Sequence, residues 1–190
     1  MKSIACLACA MGLTAAAQDT GPRVPTDLSL LTNQSGAGIQ AFAVLPQSGL
    51  RDAVNGRTGF DVGVHASVGL DNCDEIRPRI DYTRLDAGSF SASSLSSTTT
   101  VQAVSLGVDY LAFVKTNRRG FYGAFGTSLA WWNVKNRFGN SSRLTTLMAQ
   151  AGPGFRFGDN LSVEADLEYG RFRQTVGTES AIKVGVFYLF

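Results

Sequence analysis

The chain has 190 residues, enough for one domain and little more. With 44% hydrophobic and 10% aromatic residues it is no disordered chain, and its 17% charged content lies below the roughly one quarter usual for soluble domains. A net charge of +2 without a basic cluster excludes nucleic acid as a natural partner.

Residues 1–17 read as a signal peptide. Lys2 supplies the positive start, Ile4 to Leu13 a short apolar core, and Ala15, Ala16 and Ala17 the small residues of a cleavage point before Gln18. That core is too short to cross a bilayer as a helix. A lipoprotein reading of Cys6 or Cys9 lacks the aliphatic residue three positions upstream, where Ser3 and Cys6 stand. Past this segment Cys73 is the remaining cysteine, so no internal disulfide is expected. Residues 18–36, with Gly21, Pro22 and Pro25 among polar neighbours, read as an extended periplasmic lead-in, and the folded domain is placed at 37–190. No later apolar run is long enough for a membrane-spanning helix, so any passage through a membrane falls to strands.

From there the pattern has a period of two. Phe60, Val62, Val64, Ala66, Val68 and Leu70 alternate with Asp61, Gly63, His65, Ser67 and Gly69. Ile76, Pro78, Ile80 and Tyr82 alternate with Arg77, Arg79, Asp81 and Thr83. Leu161, Val163, Ala165, Leu167 and Tyr169 alternate with Ser162, Glu164, Asp166, Glu168 and Gly170, and Ile182, Val184, Val186, Tyr188 and Phe190 share one face of a last strand. Weaker alternation covers Ile39 to Leu45, Val101 to Phe113, Phe121 to Trp131 and Leu147 to Phe157, which makes eight strands. Short turns (71–74, 116–119, 158–160) take turns with longer polar loops (46–58, 86–97, 134–143, 173–180). This is the rhythm of an up-and-down barrel with both chain ends on the short-turn side.

A soluble eight-stranded barrel, such as a lipocalin, would share the alternation but point its apolar face inward. Three features favour the inverted arrangement. On the apolar face Phe60, Tyr82, Trp131 and Tyr169 sit near long-loop ends, while Phe121, Phe155, Tyr188 and Phe190 sit near short-turn ends, as in two membrane-interface girdles. On the polar face Arg77, Arg79 and Arg156 could meet Asp81, Asp109, Glu164, Asp166 and Glu168, with small Ala124, Gly126, Ser128 and Ala130 making room. The third is Lys183, Gly185, Tyr188 and Phe190 in the last strand, which resemble the β-signal that insertion machinery recognises in outer-membrane barrels.

With these residues in place, Gly36 to Phe190 resembles the small outer-membrane β-barrel domain family, similar in form to the OmpA barrel. Ile76 to Tyr82 also looks like a third strand common in such barrels. The resemblance implies an all-β, eight-stranded antiparallel transmembrane barrel in the cell outer membrane, with lipid and the insertion machinery as partners and no cofactor. The peptidoglycan-binding domain that follows the barrel in OmpA has no counterpart in the matched stretch, so an anchoring role is not carried over. Pro153, between Gly152 and Gly154, departs from a continuous ladder and predicts a bulge.

Candidate chemistry is sparse. His65 and Ser67 resemble part of the catalytic arrangement of outer-membrane lipid A deacylases, with Asp61 a conceivable orienting acid. In that family the reactive groups face lipid, whereas here alternation turns both residues to the lumen, where they read as polar lining. Glu164, Asp166 and Glu168 could suit a cation, but their stacking along one strand favours pairing with arginines. Cys73, among Asp71, Asp74 and Glu75, reads as a passive turn residue, and no metal site is expected. Gly49 to Val54 could form one helical turn, either as a partner-binding loop or as a polar cap. The expected function is a structural or surface-interaction barrel with a largely plugged lumen. A narrow channel for small solutes and a lipid A-modifying enzyme are the alternatives.

Overall fold

The computed structural model describes residues 35–70, 74–86, 100–115, 117–135, 141–172 and 177–190. The signal peptide, the lead-in up to residue 34, Cys73 and most of the 86–97 loop lie outside the described residues. Eight strands run β1 (Ser35–Gln47), β2 (Gly59–Gly69), β3 (Glu75–Asp86), β4 (Thr100–Phe113), β5 (Gly120–Lys135), β6 (Ser141–Phe157), β7 (Leu161–Phe172) and β8 (Gly177–Leu189), with one short helix, α1 (Ser48–Ala53), after β1. β1 therefore takes in the last two residues assigned to the lead-in. Likewise, β5, β6 and β8 extend into the loops expected at 134–143 and 173–180.

Each strand pairs antiparallel with the next, and β8 closes on β1. The closure is staggered. Partners followed sideways from Ser35 pass Val68, Ile76, Tyr110, Phe125, Ala151, Leu167 and Ile182 and return to β1 at Leu45, ten residues further on. At about 3.3 Å per residue and about 4.8 Å between strands, that stagger tilts the strands roughly 40° from the barrel axis.

The burial pattern is inside out. Val64, Ile80, Leu106, Leu147 and Leu167 are each more than half exposed, whereas Arg77, Asp81, Asp109 and Asp166 are at most 2% exposed. A soluble barrel would show the reverse, so the exterior is built for an apolar solvent. The aromatics expected at the strand ends face outward there, with Phe125 between the two heights, and near the short turns they touch one another. Phe121 meets Phe155 edge-on at 4.8 Å, Phe155 meets Phe157 at 4.7 Å, and Tyr188 meets Phe190 at 5.6 Å.

The bulge expected at Pro153 is absent. Ala151 pairs with Leu167 and Gly154 with Glu164, so the register is the same on both sides of the proline and no residue is inserted. The ladder to β7 lapses over Gly152 and Pro153, while the ladder to β5 runs through both. Pro78 behaves alike, pairing with Val108 on β4 and interrupting only the β2 ladder. Proline lacks one N–H, and a strand in a closed sheet can lose it on one side without shifting register.

Inward glycines accept large neighbours. A Cβ on Gly185 would lie 2.3 Å from the Phe42 ring, on Gly154 2.3 Å from that of Tyr122, and on Gly126 2.0 Å from Asp109 Oδ1. In each case the large residue stands directly opposite the glycine on the adjoining strand.

Candidate functional site

The lumen is filled in layers. Below the long loops, Val44, Leu85, Val101, Trp132, Met148 and Ala181 from six strands form an apolar cluster, joined by Leu50 and Val54 from α1 and the turn after it. Leu50 and Val54 stand four apart, so both fall on one helix face, and that face turns down into the mouth. Arg51 and Asp52 on the other face are exposed. The first loop thus folds an apolar face inward over the lumen, which neither a purely polar cap nor a free loop would do, and leaves Arg51, Asp52 and Arg57 outside.

The middle of the barrel holds ion pairs. Arg77 on β3 forks between two walls. It donates to Asp109 Oδ2 on β4 at 2.9 and 3.1 Å, and to both oxygens of Glu164 on β7 at 2.5 and 2.8 Å. Its guanidinium also lies 3.9 Å above the Phe187 ring, a cation–π contact. Arg79 pairs with Asp81 and, at 3.1 Å, with Asp109, and donates to Gln150 Oε1 at 2.5 Å. Gln150 in turn donates to Asp109 at 3.0 Å, and Tyr122 donates to Glu164 at 2.5 Å. Nearly every lone pair of these acids is engaged, which the low dielectric of such a space requires.

Lys183, weighed in the sequence as part of an assembly signal, belongs to the lumen. Its Nζ lies 2.8 Å from Asp61 Oδ2 and 2.7 Å from Glu168 Oε2, and Thr83 donates to the same Asp61 oxygen at 2.9 Å. Arg156 sits lower, near the short turns. It grips Glu75 with two hydrogen bonds, at 2.7 and 3.0 Å, rather than any of the acids named for it from sequence. Below the ionic middle, Leu111, Tyr122 and Ala124, with Phe113 against them, make a small second apolar cluster.

Of the acidic trio, Glu164 pairs with Arg77 and Glu168 with Lys183, but Asp166 pairs with no cation among the described residues. Neither of its oxygens meets a hydrogen-bond donor among the described residues. Lys183 is its direct partner on β8 but reaches past it to Asp61 and Glu168. Sequence reasoning also missed Asp61, Glu75, Gln40, Thr83, Tyr122 and Gln150 as members of the network. All lie on the inward phase of their strands, and that phase was the signal available.

His65 and Ser67 are buried on the lumenal face. The imidazole packs edge-on against Phe187 at 5.6 Å, and its Nδ1 has no hydrogen-bond partner among the described residues. Asp61 is held by Lys183 and Thr83 and does not orient the ring. Of the four residues that resemble an assembly signal, Lys183 and Gly185 face inward, whereas Tyr188 and Phe190 face outward.

No family model matches the chain, and no curated protein does. Solved structures do. Neisserial surface protein A (NspA) is similar over 83% of this chain and 97% of its own, at 16% identity and a TM-score of 0.56. Ail of Yersinia pestis, crystallised with the heparin analogue sucrose octasulfate, is similar over 82% and 97%, at 17% identity and a TM-score of 0.51. The N-terminal β-barrel domain of Pseudomonas aeruginosa OprF is similar over 83% and 98%, at 15% identity and a TM-score of 0.50. The chain has the fold of a small eight-stranded outer-membrane β-barrel.

Proposed function

We propose that the chain is an integral outer-membrane protein with a structural or surface-interaction role, neither an enzyme nor a general pore. The observation that supports this reading is an apolar outer wall around a lumen occupied at two levels, by Leu50 and Val54 of α1 and its turn above and by the ion pairs of Arg77, Arg79 and Lys183 below. An eight-stranded bore is only wide enough for its own side chains. Function then falls to the outside and to the long loops. Arg51 and Arg57 are exposed around α1, and Ail's structure with a heparin analogue makes an anionic partner the natural first probe there.

The final strand also serves assembly. Tyr188 and Phe190 face outward and touch no part of the lumenal network, so they are free to be read by the insertion machinery.

Three measurements test the reading. Protein from outer-membrane fractions migrates faster on gels unboiled than boiled, as a detergent-resistant barrel does. In planar bilayers it shows no steady single-channel openings; regular openings would replace this reading with the narrow channel. His65→Ala leaves the lipid A mass spectrum of the cells unchanged, because the imidazole lies among lumenal side chains.

A further inference from the structure

At the level of Arg77, Arg79 and Lys183 the lumen holds more acids than it can pair. Six carboxylates, those of Asp61, Asp81, Asp109, Glu164, Asp166 and Glu168, are buried there with two guanidinium groups and one ammonium. Each of these three cations is already committed. Arg77 gives Nε and Nη2 to Asp109, and Nη1 and Nη2 to Glu164. Arg79 is divided among Asp109, Asp81 and Gln150, and Lys183 between Asp61 and Glu168. Asp166 is the carboxylate left over: it is 1% exposed, and neither oxygen has a hydrogen-bond partner among the described residues. A buried carboxylate is costly unless something positive accompanies it.

The backbone beside Asp166 is short of a partner as well. Ala151 pairs with Leu167 and Gly154 with Glu164, so Ala165 faces Pro153 across the lapse in the β6–β7 ladder. Proline has no N–H to give the Ala165 carbonyl. A Cβ on Gly152 would lie 2.5 Å from Asp166 Oδ1 and closer still to the Ala165 oxygen. Two oxygens therefore overhang one bare Cα. Hard cations take oxygen ligands at about 2.0–2.6 Å, from carboxylates and backbone carbonyls alike. A divalent ion would draw on several carboxylates, and no three acids, histidines or cysteines gather for one among the described residues. One carboxylate and one carbonyl suit a singly charged ion that keeps water in the rest of its shell.

We propose that the Asp166 carboxylate and the Ala165 carbonyl bind a partly hydrated monovalent cation, sodium or one of its size, inside the lumen. The ion supplies the positive charge that Asp166 lacks and the partner that Pro153 cannot give Ala165. Gly152 leaves the room for it. Because side chains fill the lumen, uptake accompanies folding, and the ion stabilises the folded barrel by mass action.

The test uses the full barrel refolded in zwitterionic detergent micelles. The chloride salt is that of sodium or of N-methylglucamine, a cation too bulky for the lumen, at one ionic strength and pH. Urea titrations read the folded-to-unfolded ratio, and unboiled gel migration checks that each variant folds. For the wild type that ratio should rise about tenfold, approaching a plateau, between no sodium and about 100 mM. Asp166→Asn, which removes the charge and keeps the shape, should fold and lose the sodium response. Asp159→Asn, at an exposed ion pair, should keep it. Saturable broadening of the sodium NMR signal by the wild-type barrel should report the ion directly. Without that broadening the proposal fails, whatever the variants do. Equal wild-type stability in the two salts would overturn it, as would an Asp166→Asn barrel that still responds to sodium. So would a stability that moves with pH and not with sodium, since a proton would then accompany Asp166.

Discussion

The lumen holds two layers built on opposite principles a few residues apart along the same strands. Under the long loops, Leu85, Val101, Trp132 and Met148 pack with Leu50 and Val54 as a dry cluster. Three or four inward positions lower, Arg77, Arg79 and Asp109 meet Glu164 as charges with almost no exposure. The apolar layer loses stability in proportion to what is removed from it, because each side chain makes many small contacts. In the ionic layer each group is tolerable only through its partners, and losing one strands the rest. A lumen of one width can thus be packed so that stability is lost by degrees or all at once.

Removing one charge should show the contrast most strongly. Arg77→Ala leaves Asp109 and Glu164 without their main partner, which should cost about 3–5 kcal/mol of unfolding free energy in urea titrations of the refolded barrel. Replacing Arg77 and Glu164 together by Met and Leu, which leaves Asp109 paired with Arg79 and Gln150, should restore most of that loss; if it does not, the brittleness has another source. In the apolar layer, Leu85→Ala should cost about 2–5 kcal/mol, with a value towards the low end if α1 settles into the space. Between the two kinds of packing, Gly126→Ala forces a methyl group against Asp109 and Gln150 and should cost about 1–3 kcal/mol by the same titration. The smallest effect belongs to Arg119→Ala. Its pair with Asp159 at 2.6 Å is exposed at a short turn, so the loss should stay below about 1 kcal/mol and shrink in high salt.

Much of the fold could be read from the chain because alternation is a local property. The face assignment of β2, β3, β7 and β8, the short and long connections and the two aromatic heights all follow from residues a few positions apart. Partner choice is not local. Arg77 reaches Glu164 across 87 positions, and only the stagger of the closed sheet brings β3 and β7 to the same height. For the same reason the last strand's own pattern does not show that closure delivers Lys183 to Asp61 on β2 and Glu168 on β7. The inward fold of α1 was half visible: the helical turn showed in the sequence, but the burial of Leu50 and Val54 depends on a mouth made by other strands. Averaging the inward phase as polar hid the apolar layer of Leu85, Val101 and Trp132.

The glycines that lie beneath bulky neighbours bear on a problem that alternation leaves open. Sliding one strand by a single residue would turn its greasy side chains into the bore and is heavily penalised. A slide of two preserves the in-and-out order, so the contrast between lipid and lumen does not oppose it. It would, however, carry Phe42 off Gly185 and Tyr122 off Gly154, leaving each ring to collide with a neighbour that has a Cβ, or with a gap. Each bulky residue and the bare backbone it covers behave like a key and its notch, and around the cylinder they select one alignment from the several that polarity alone would permit.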